Sequence, residues 1–415
     1  MARVGHRDGG GVVTARAVPL LLAGSLLFAT PAWAQSGPAK LPNGKQEACL
    51  QAPQGMARAV PWAQQQLAPQ RVWPLTRGEG VVVAVVDTGV DGSIPQLAGG
   101  KVQRGVDLTS PGNGPADSDC FGHGTFLAGI IAASASPDTG FAGVAPGVTI
   151  LPIRCATSGE PGALTPGGMA KGIRQAVDSG ANVINISAST TLQDGELAAA
   201  VGYAVERDVV VVASAANGAK DGDPVTYPAS YPGVIAVGAV DVNGQRADFS
   251  QTGPYLSLMA PGVDVISVGP KGPGHWQGSG TSYAAPFVTA AAALVRAYRP
   301  SLTAAQIKHR LEATANHPPM AMPHPAMGWG TVNLLAAVTT ELAEEGPAAA
   351  GAPIAPPAAR APEVPAPDDL GPLLAVLGIL GAAVFAFGLV MTTRLVKAAR
   401  RRRWTRARVL ELQDS

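Results

Sequence analysis

The run Val81-Val82-Val83-Ala84-Val85-Val86, followed directly by Asp87, decides the fold. An unbroken apolar stretch rich in β-branched residues, with no polar alternation, describes a strand covered on both faces, as in a parallel sheet. Further runs of this kind end at or near Ile153, Ile186, Val212 and Val240, and helix-like segments lie between several of them, at 123–133, 168–179 and 197–206. The alternation predicts an α/β fold with a mostly parallel central sheet. Right-handed crossovers then place helices on both faces, and ligands bind near the carboxyl ends of the strands.

Beyond the last of these runs comes Gly278-Ser279-Gly280-Thr281-Ser282-Tyr283-Ala284-Ala285-Pro286. Residues 287–298 are apolar all round, which suits a helix inside a protein. Pro286 is tolerated within the first turn or just after it, so a helix starting near Ser282 is expected. A serine there faces free N–H groups and the positive end of the helix dipole, where developing negative charge is stabilised. Taken alone, it reads as an ordinary N-cap, the usual place for a serine. A second amphipathic helix is expected at 303–313 with Thr303 or Ser301 as cap, and a closing segment runs from Gly328 to about 345.

The 415 residues include two unusual ends. Arg3, Arg7 and Arg16 precede an apolar run at 17–29 and then Ala32-Trp33-Ala34, the parts of a secretory signal peptide over 1–34. Residues 35–60, rich in Pro, Gln, Gly and Ala, form an extended arm before a globular domain at 61–345. Residues 346–369 are mostly Pro and Ala, a semi-rigid spacer. Residues 370–390 carry no charge and are long enough for one transmembrane helix, placed at 370–391. The basic cluster in the tail at 392–415 marks that side as cytoplasmic and the domain as exported. Between Gln35 and Asp369 there are 19 basic and 26 acidic residues, which argues against a nucleic-acid binder. Three cysteines, Cys49, Cys120 and Cys155, allow one disulfide and leave one thiol.

A serine hydroxyl needs a base, and the base needs a third group to fix its tautomer. Of the six histidines, His6 is in the leader, His309 is on a surface helix, and His317 and His324 are in a Pro-rich loop. His275, close to Ser282 in sequence, is a lesser rival. His123, in Gly122-His123-Gly124-Thr125, opens a helix from between two glycines and can be aimed into a cleft; a structural role is the alternative. Asp87 ends a buried strand, where a carboxylate needs a partner. It either meets a histidine or caps the turn that follows. Asn217, just after the run ending at Ser214, reads on its own as a turn residue.

Val85-Val86-Asp87-Thr88-Gly89-Val90, Gly122-His123-Gly124-Thr125 and Gly280-Thr281-Ser282-Tyr283-Ala284-Ala285-Pro286 together resemble the three signature blocks of subtilisin-like serine proteases, over about residues 60–340. The resemblance implies their three-layer fold and a catalytic triad of Asp87, His123 and Ser282. It also implies an oxyanion hole from Asn217 and the N–H of Ser282, and substrate contacts along Asn185, Ile186, Ser187, Ala188, Ala213 and Ser214. It implies no cofactor, and the absence of His-Glu-x-x-His speaks against a metal hydrolase. Where many relatives carry Gly, this chain has Ala188 or Ser189.

Val60-Pro61-Trp62-Ala63-Gln64, Val72-Trp73-Pro74-Leu75, the Asp119-Cys120 pair, the short cysteine-bearing arm and the single C-terminal apolar segment are similar to the mycosins, membrane-anchored proteases associated with type VII secretion. That similarity implies a Cys49–Cys120 bridge tying the arm beside His123, an arm that stays attached, and components of the secretion membrane complex as partners. Two departures stand out. Ser189, Thr190 and Thr191 replace a fourth cysteine, leaving Cys155 without its partner, and Phe121 stands where an aspartate is common. The expected function is a tethered extracytoplasmic serine endopeptidase acting on exported proteins; the alternative is a structural component of the secretion complex in which proteolysis is dispensable.

Overall fold

The computed structural model describes residues 37–42, 48–158, 162–345 and 391–398. The expected leader, spacer and transmembrane segment at 370–390 lie outside these. Residues 391–398 are helical and belong to a second unit, beginning at residue 349. Among the described residues no helix is long and apolar enough to cross a membrane.

In chain order the main unit contains β1 (Ala39–Lys40), α1 (Trp62–Leu67), β2 (Val82–Asp87), β3 (Val106–Asp107), α2 (His123–Ala132), β4 (Thr149–Arg154), α3 (Pro166–Asp178), β5 (Val183–Ile186) and α4 (Gly195–Glu206). There follow β6 (Val210–Ser214), β7 (Ile235–Val240), β8 (Leu256–Pro261), β9 (Val265–Val268), β10 (His275–Gly278), α5 (Thr281–Tyr298), α6 (Ala304–Ala313) and α7 (Leu334–Thr339). Seven strands form one sheet in the order β3-β4-β2-β5-β6-β7-β8, every pairing parallel. The chain builds outward from β2 on one side and then continues from β5 on the other. The carboxyl ends of β2 and β5 therefore flank the point where strand order reverses, the place where such sheets bind ligands.

Alternation along β2 sorts its side chains between two cores. Val83 and Val85 join the cluster built on α2 and α5, whereas Ala84 and Val86 join the one built on α3 and α4. Both faces of β2 are thus dry, which is why its sequence shows no polar alternation. Helix α5 runs under β5 to β8, and the residues from Tyr283 to Val295 are all buried. Its mostly apolar composition follows from that position.

Side chains set the starts of α3, α4 and α6. Thr165 accepts from the Gly168 N–H with Pro166 at the first helical position, so α3 begins two residues before the expected start. Asp194 caps α4 through the Leu197 N–H at 2.7 Å. Thr303 and Gln306 form a reciprocal capping box on α6, which settles the choice between Thr303 and Ser301.

The described residues of the arm include the short strand β1 and are buried in part. β1 adds in parallel to β10, which pairs antiparallel with β9 in a separate three-stranded sheet. Leu41, Leu50 and Ala57 enter the larger core. His275, the lesser rival for the catalytic base, lies fully buried beneath this arm. Its Nδ1 accepts from the Ala57 N–H at 3.3 Å and its ring meets Phe141 edge-on at 5.2 Å. Burial pushes its pKa down to about 4. The unfolded chain binds a proton near the ordinary value of about 6.5 and the folded one does not. Stability should therefore fall as pH drops from about 6.5 towards 4, by about 3 kcal/mol in all from this residue. Urea midpoints across that window should show the loss, and His275→Gln should flatten it.

A candidate active site at the carboxyl ends of the parallel strands

Asp87 is the last residue of β2 and only 4% exposed. Its Oδ1 lies 2.8 Å from Nδ1 of His123 and 2.9 Å from the Thr88 N–H, which donates to it. A carboxylate only accepts, so Nδ1 of His123 carries the proton and Nε2 keeps a lone pair free to act as a base. The partner expected for a carboxylate at the end of a buried strand is thus present.

His123 opens α2, and two glycines make its position possible. Gly122 adopts φ +87° at the N-cap, where a Cβ would stand 2.7 Å from Leu50 of the arm. Gly124 lies against the turn after β2: its N–H donates to Thr88 Oγ1 at 3.0 Å, and a Cβ there would stand 2.1 Å from the Gly89 carbonyl. Gly124→Ala is expected to push α2 away from β2 and cost about 2 kcal/mol or more of stability, within the range for overpacked interiors. Denaturant unfolding measures this, with activity falling beyond the loss of folded protein.

Asp119 completes the start of α2. Fully enclosed, its carboxylate accepts from the N–H groups of Phe121, Gly122 and Thr125 at 2.9 to 3.0 Å, and from the Thr125 hydroxyl at 2.7 Å. Burial pushes its pKa up, against these donors. The base responds to both carboxylates. Burial lowers the His123 pKa, but the charge and hydrogen bond of Asp87, aided by the charge of Asp119, outweigh it and leave the pKa above the ordinary imidazole value. The next residue, Cys120, is bonded to Cys49 with S–S 2.01 Å, so the bridge between arm and base loop is present. Cys155 is free, and burial pushes its thiol up to about 12, which keeps it protonated.

Ser282 is the second residue of α5, so its N–H is among those a helix start leaves without an intrahelical acceptor. Asn217, exposed after β6, turns its Oδ1 to the Thr281 N–H at 2.9 Å and the Thr281 hydroxyl at 3.0 Å. A backbone N–H requires an acceptor, which fixes the amide orientation and leaves Nδ2 facing the cleft. Ala216, left-handed at φ 80°, makes the turn that delivers Asn217 there. The arrangement offers a nucleophile, a base with its orienting acid, and two donors for an oxyanion.

These groups share one cleft of about 520 Å³, lined by Asp87, His123, Asn217 and Ser282 together with Ser187 and Ala188. Ser189 also lines it, so the positions where relatives carry Gly are in the cleft wall. Four expected substrate contacts are not. Asn185, Ile186, Ala213 and Ser214 are fully buried within β5 and β6 or at their ends, because both faces of these inner strands are covered. The sequence also did not single out Thr281, which orients Asn217. A helix N1 threonine beside the nucleophile carries no signal distinguishing this use from capping.

A parallel sheet with this constellation at its carboxyl edge defines a serine endopeptidase of the subtilisin type. The profile of the Subtilase family, Peptidase S8, matches residues 78–330. The chain belongs to that family, within its mycosin branch. It is 38% identical to Mycosin-4 of Mycobacterium tuberculosis over 413 residues, covering 87% of each chain. Subtilisin E of Bacillus subtilis is 38% identical over 264 residues, which span 63% of this chain and 67% of subtilisin E. The solved structure of MycP3, a protease from the type VII (ESX-3) secretion system, superposes with a TM-score of 0.62 at 33% identity, covering 74% of this chain and 95% of MycP3.

Proposed function

We propose that the protein is a membrane-anchored serine endopeptidase that cleaves exported proteins outside the cytoplasmic membrane through an acyl-enzyme, in association with a type VII secretion membrane complex. The observation that carries the chemistry is the 2.8 Å Asp87–His123 hydrogen bond opening onto the cleft that Ser282 and Asn217 also line. Ser282 Oγ attacks the peptide carbonyl; His123 Nε2 takes the proton and returns it to the leaving amine, while Asp87 holds the imidazolium. Asn217 Nδ2 and the Ser282 N–H receive the oxyanion. Substrate backbone adds beside Ser187 and Ala188 at the end of β5.

Support for the location is in the sequence. The leader-like segment, the uncharged stretch at 370–390 and the basic cluster behind it agree on one orientation. Support for the partner is the mycosin relationship, MycP3 being named for its type VII system. A fluorophosphonate applied to the folded full-length protein is expected to leave one adduct on Ser282, found by peptide mass mapping. Folded protein without that adduct overturns the assignment. In cells, assembly of the secretion complex that survives Ser282→Ala yet fails when the chain is deleted would make the structural role the essential one.

A further inference from the structure

Pro286 is the sixth residue of α5 and has no N–H to offer the carbonyl of Ser282, four residues before it. That carbonyl is nevertheless bonded, because the Ser187 hydroxyl donates to it at 2.7 Å. The Ser282 hydroxyl donates in return to the Ser187 carbonyl at 3.0 Å. Two serines, one at the end of β5 and one at the mouth of α5, thus clasp each other through side chain and backbone.

The clasp is held from behind. Both hydroxyl protons are committed to carbonyls, which only accept, so Ser187 Oγ can receive only a donor. Asn185 Nδ2 supplies it at 3.0 Å, which turns Asn185 Oδ1 away to accept from the Thr289 hydroxyl at 2.8 Å. Asn185 and Thr289 are fully buried and Ser187 is 5% exposed. Neither Asn185 nor Thr289 lines the cleft, and the proposed mechanism uses neither.

We propose that Thr289, Asn185 and Ser187 are positioning residues for the nucleophile. They hold the backbone of Ser282 by the carbonyl that Pro286 leaves free, and by the returned bond they set the resting direction of its hydroxyl. This rests on Ser282 being the nucleophile. The physical requirement is placement: small displacements of a reacting atom cost far more rate than binding. Thr289 lies about two turns into α5, so the chain also ties strand and helix together at a second point.

The test uses the full-length protein and a fluorophosphonate, with kinact and KI measured separately. Ser187→Ala removes the donor but keeps the carbonyl, and is expected to lower kinact about tenfold, the effect of one lost buried hydrogen bond, with KI within about twofold. Thr289→Val, nearly the same shape, probes the far end where Asn185→Leu fails to fold, and should lower kinact in the same sense. Ser187→Thr, which keeps a hydroxyl, should restore most of the rate. Ser187→Ala and Thr289→Val both reacting at the wild-type rate, or raising KI with kinact unchanged, overturn the positioning role. A wild-type protein that does not react overturns the nucleophile assignment, and the positioning role with it.

Discussion

Asp87→Asn is expected to lower kcat about 10⁴-fold with little change in KM, the loss that this isosteric change brings in serine proteases of another fold. The cause is legible in the geometry. Asp87 accepts from Nδ1 of His123 at 2.8 Å, which leaves Nε2 as the base. An asparagine can present an N–H there instead, and the imidazole then holds its proton on the wrong nitrogen. The charge is lost as well. In the wild type, burial lowers the His123 pKa, and the charge and hydrogen bond of Asp87 more than reverse this. Removing both leaves burial opposed only by the Asp119 charge, so the pKa falls. The acid limb of kcat/KM reports His123 becoming protonated, and it should move to lower pH in the variant while the plateau drops. Rates measured from pH 5 to 9, corrected for the folded fraction, check both. A reduced plateau with an unmoved limb would remove Asp87 as the group that sets this pKa.

Asn217→Ala should lower kcat about 10²- to 10³-fold, again with KM nearly constant, the magnitude known for loss of an oxyanion donor in enzymes of this type. Asn217→Asp is the sharper variant. It keeps the size and still accepts from the Thr281 N–H and hydroxyl, now at 2.9 and 3.0 Å. What it lacks is Nδ2, and it puts negative charge where negative charge develops. Its loss should match or exceed that of alanine. Thr281→Val removes one of the two bonds that orient the amide but leaves the backbone N–H, so a loss of about tenfold or less is expected. If Asn217→Asp retained activity, Asn217 would be a turn residue and the oxyanion would be held elsewhere.

The inner strands were the most legible part of the chain. β2, β6 and β7 are almost wholly apolar, and β5 is so apart from Asn185, because helices cover both of their faces and a covered strand has no reason to alternate. α5 was legible for the same reason. The triad needed more than composition, since Asp87, His123 and Ser282 are far apart in sequence and each has an ordinary local explanation. What joined them was the match to three signature blocks, which the 2.8 Å contact now supports for two of the three. β9 and β10 were not legible. His275-Trp276-Gln277-Gly278 has no strand period, and His275 is buried in part because the arm, over 200 residues earlier, folds across it. Asn185 was misplaced for an instructive reason: its motif marks the strand end correctly, but side chains alternate, and this one points inward to Thr289 rather than to the cleft. The free carbonyl at Ser282 was readable in principle, since a proline four residues later always leaves one.

The covalent link between Cys49 and Cys120 changes what a cut in the chain can do. A single peptide bond broken anywhere between those two residues opens the backbone but releases nothing, because the piece ending at the cut stays joined through Cys49 to Cys120, beside His123. Shedding the arm through such a cut requires two chemical events, hydrolysis and reduction, of which a protease supplies only the first. A chain cut once there and an intact chain would then share one mass until a reductant is added, apart from the one water gained at the cut.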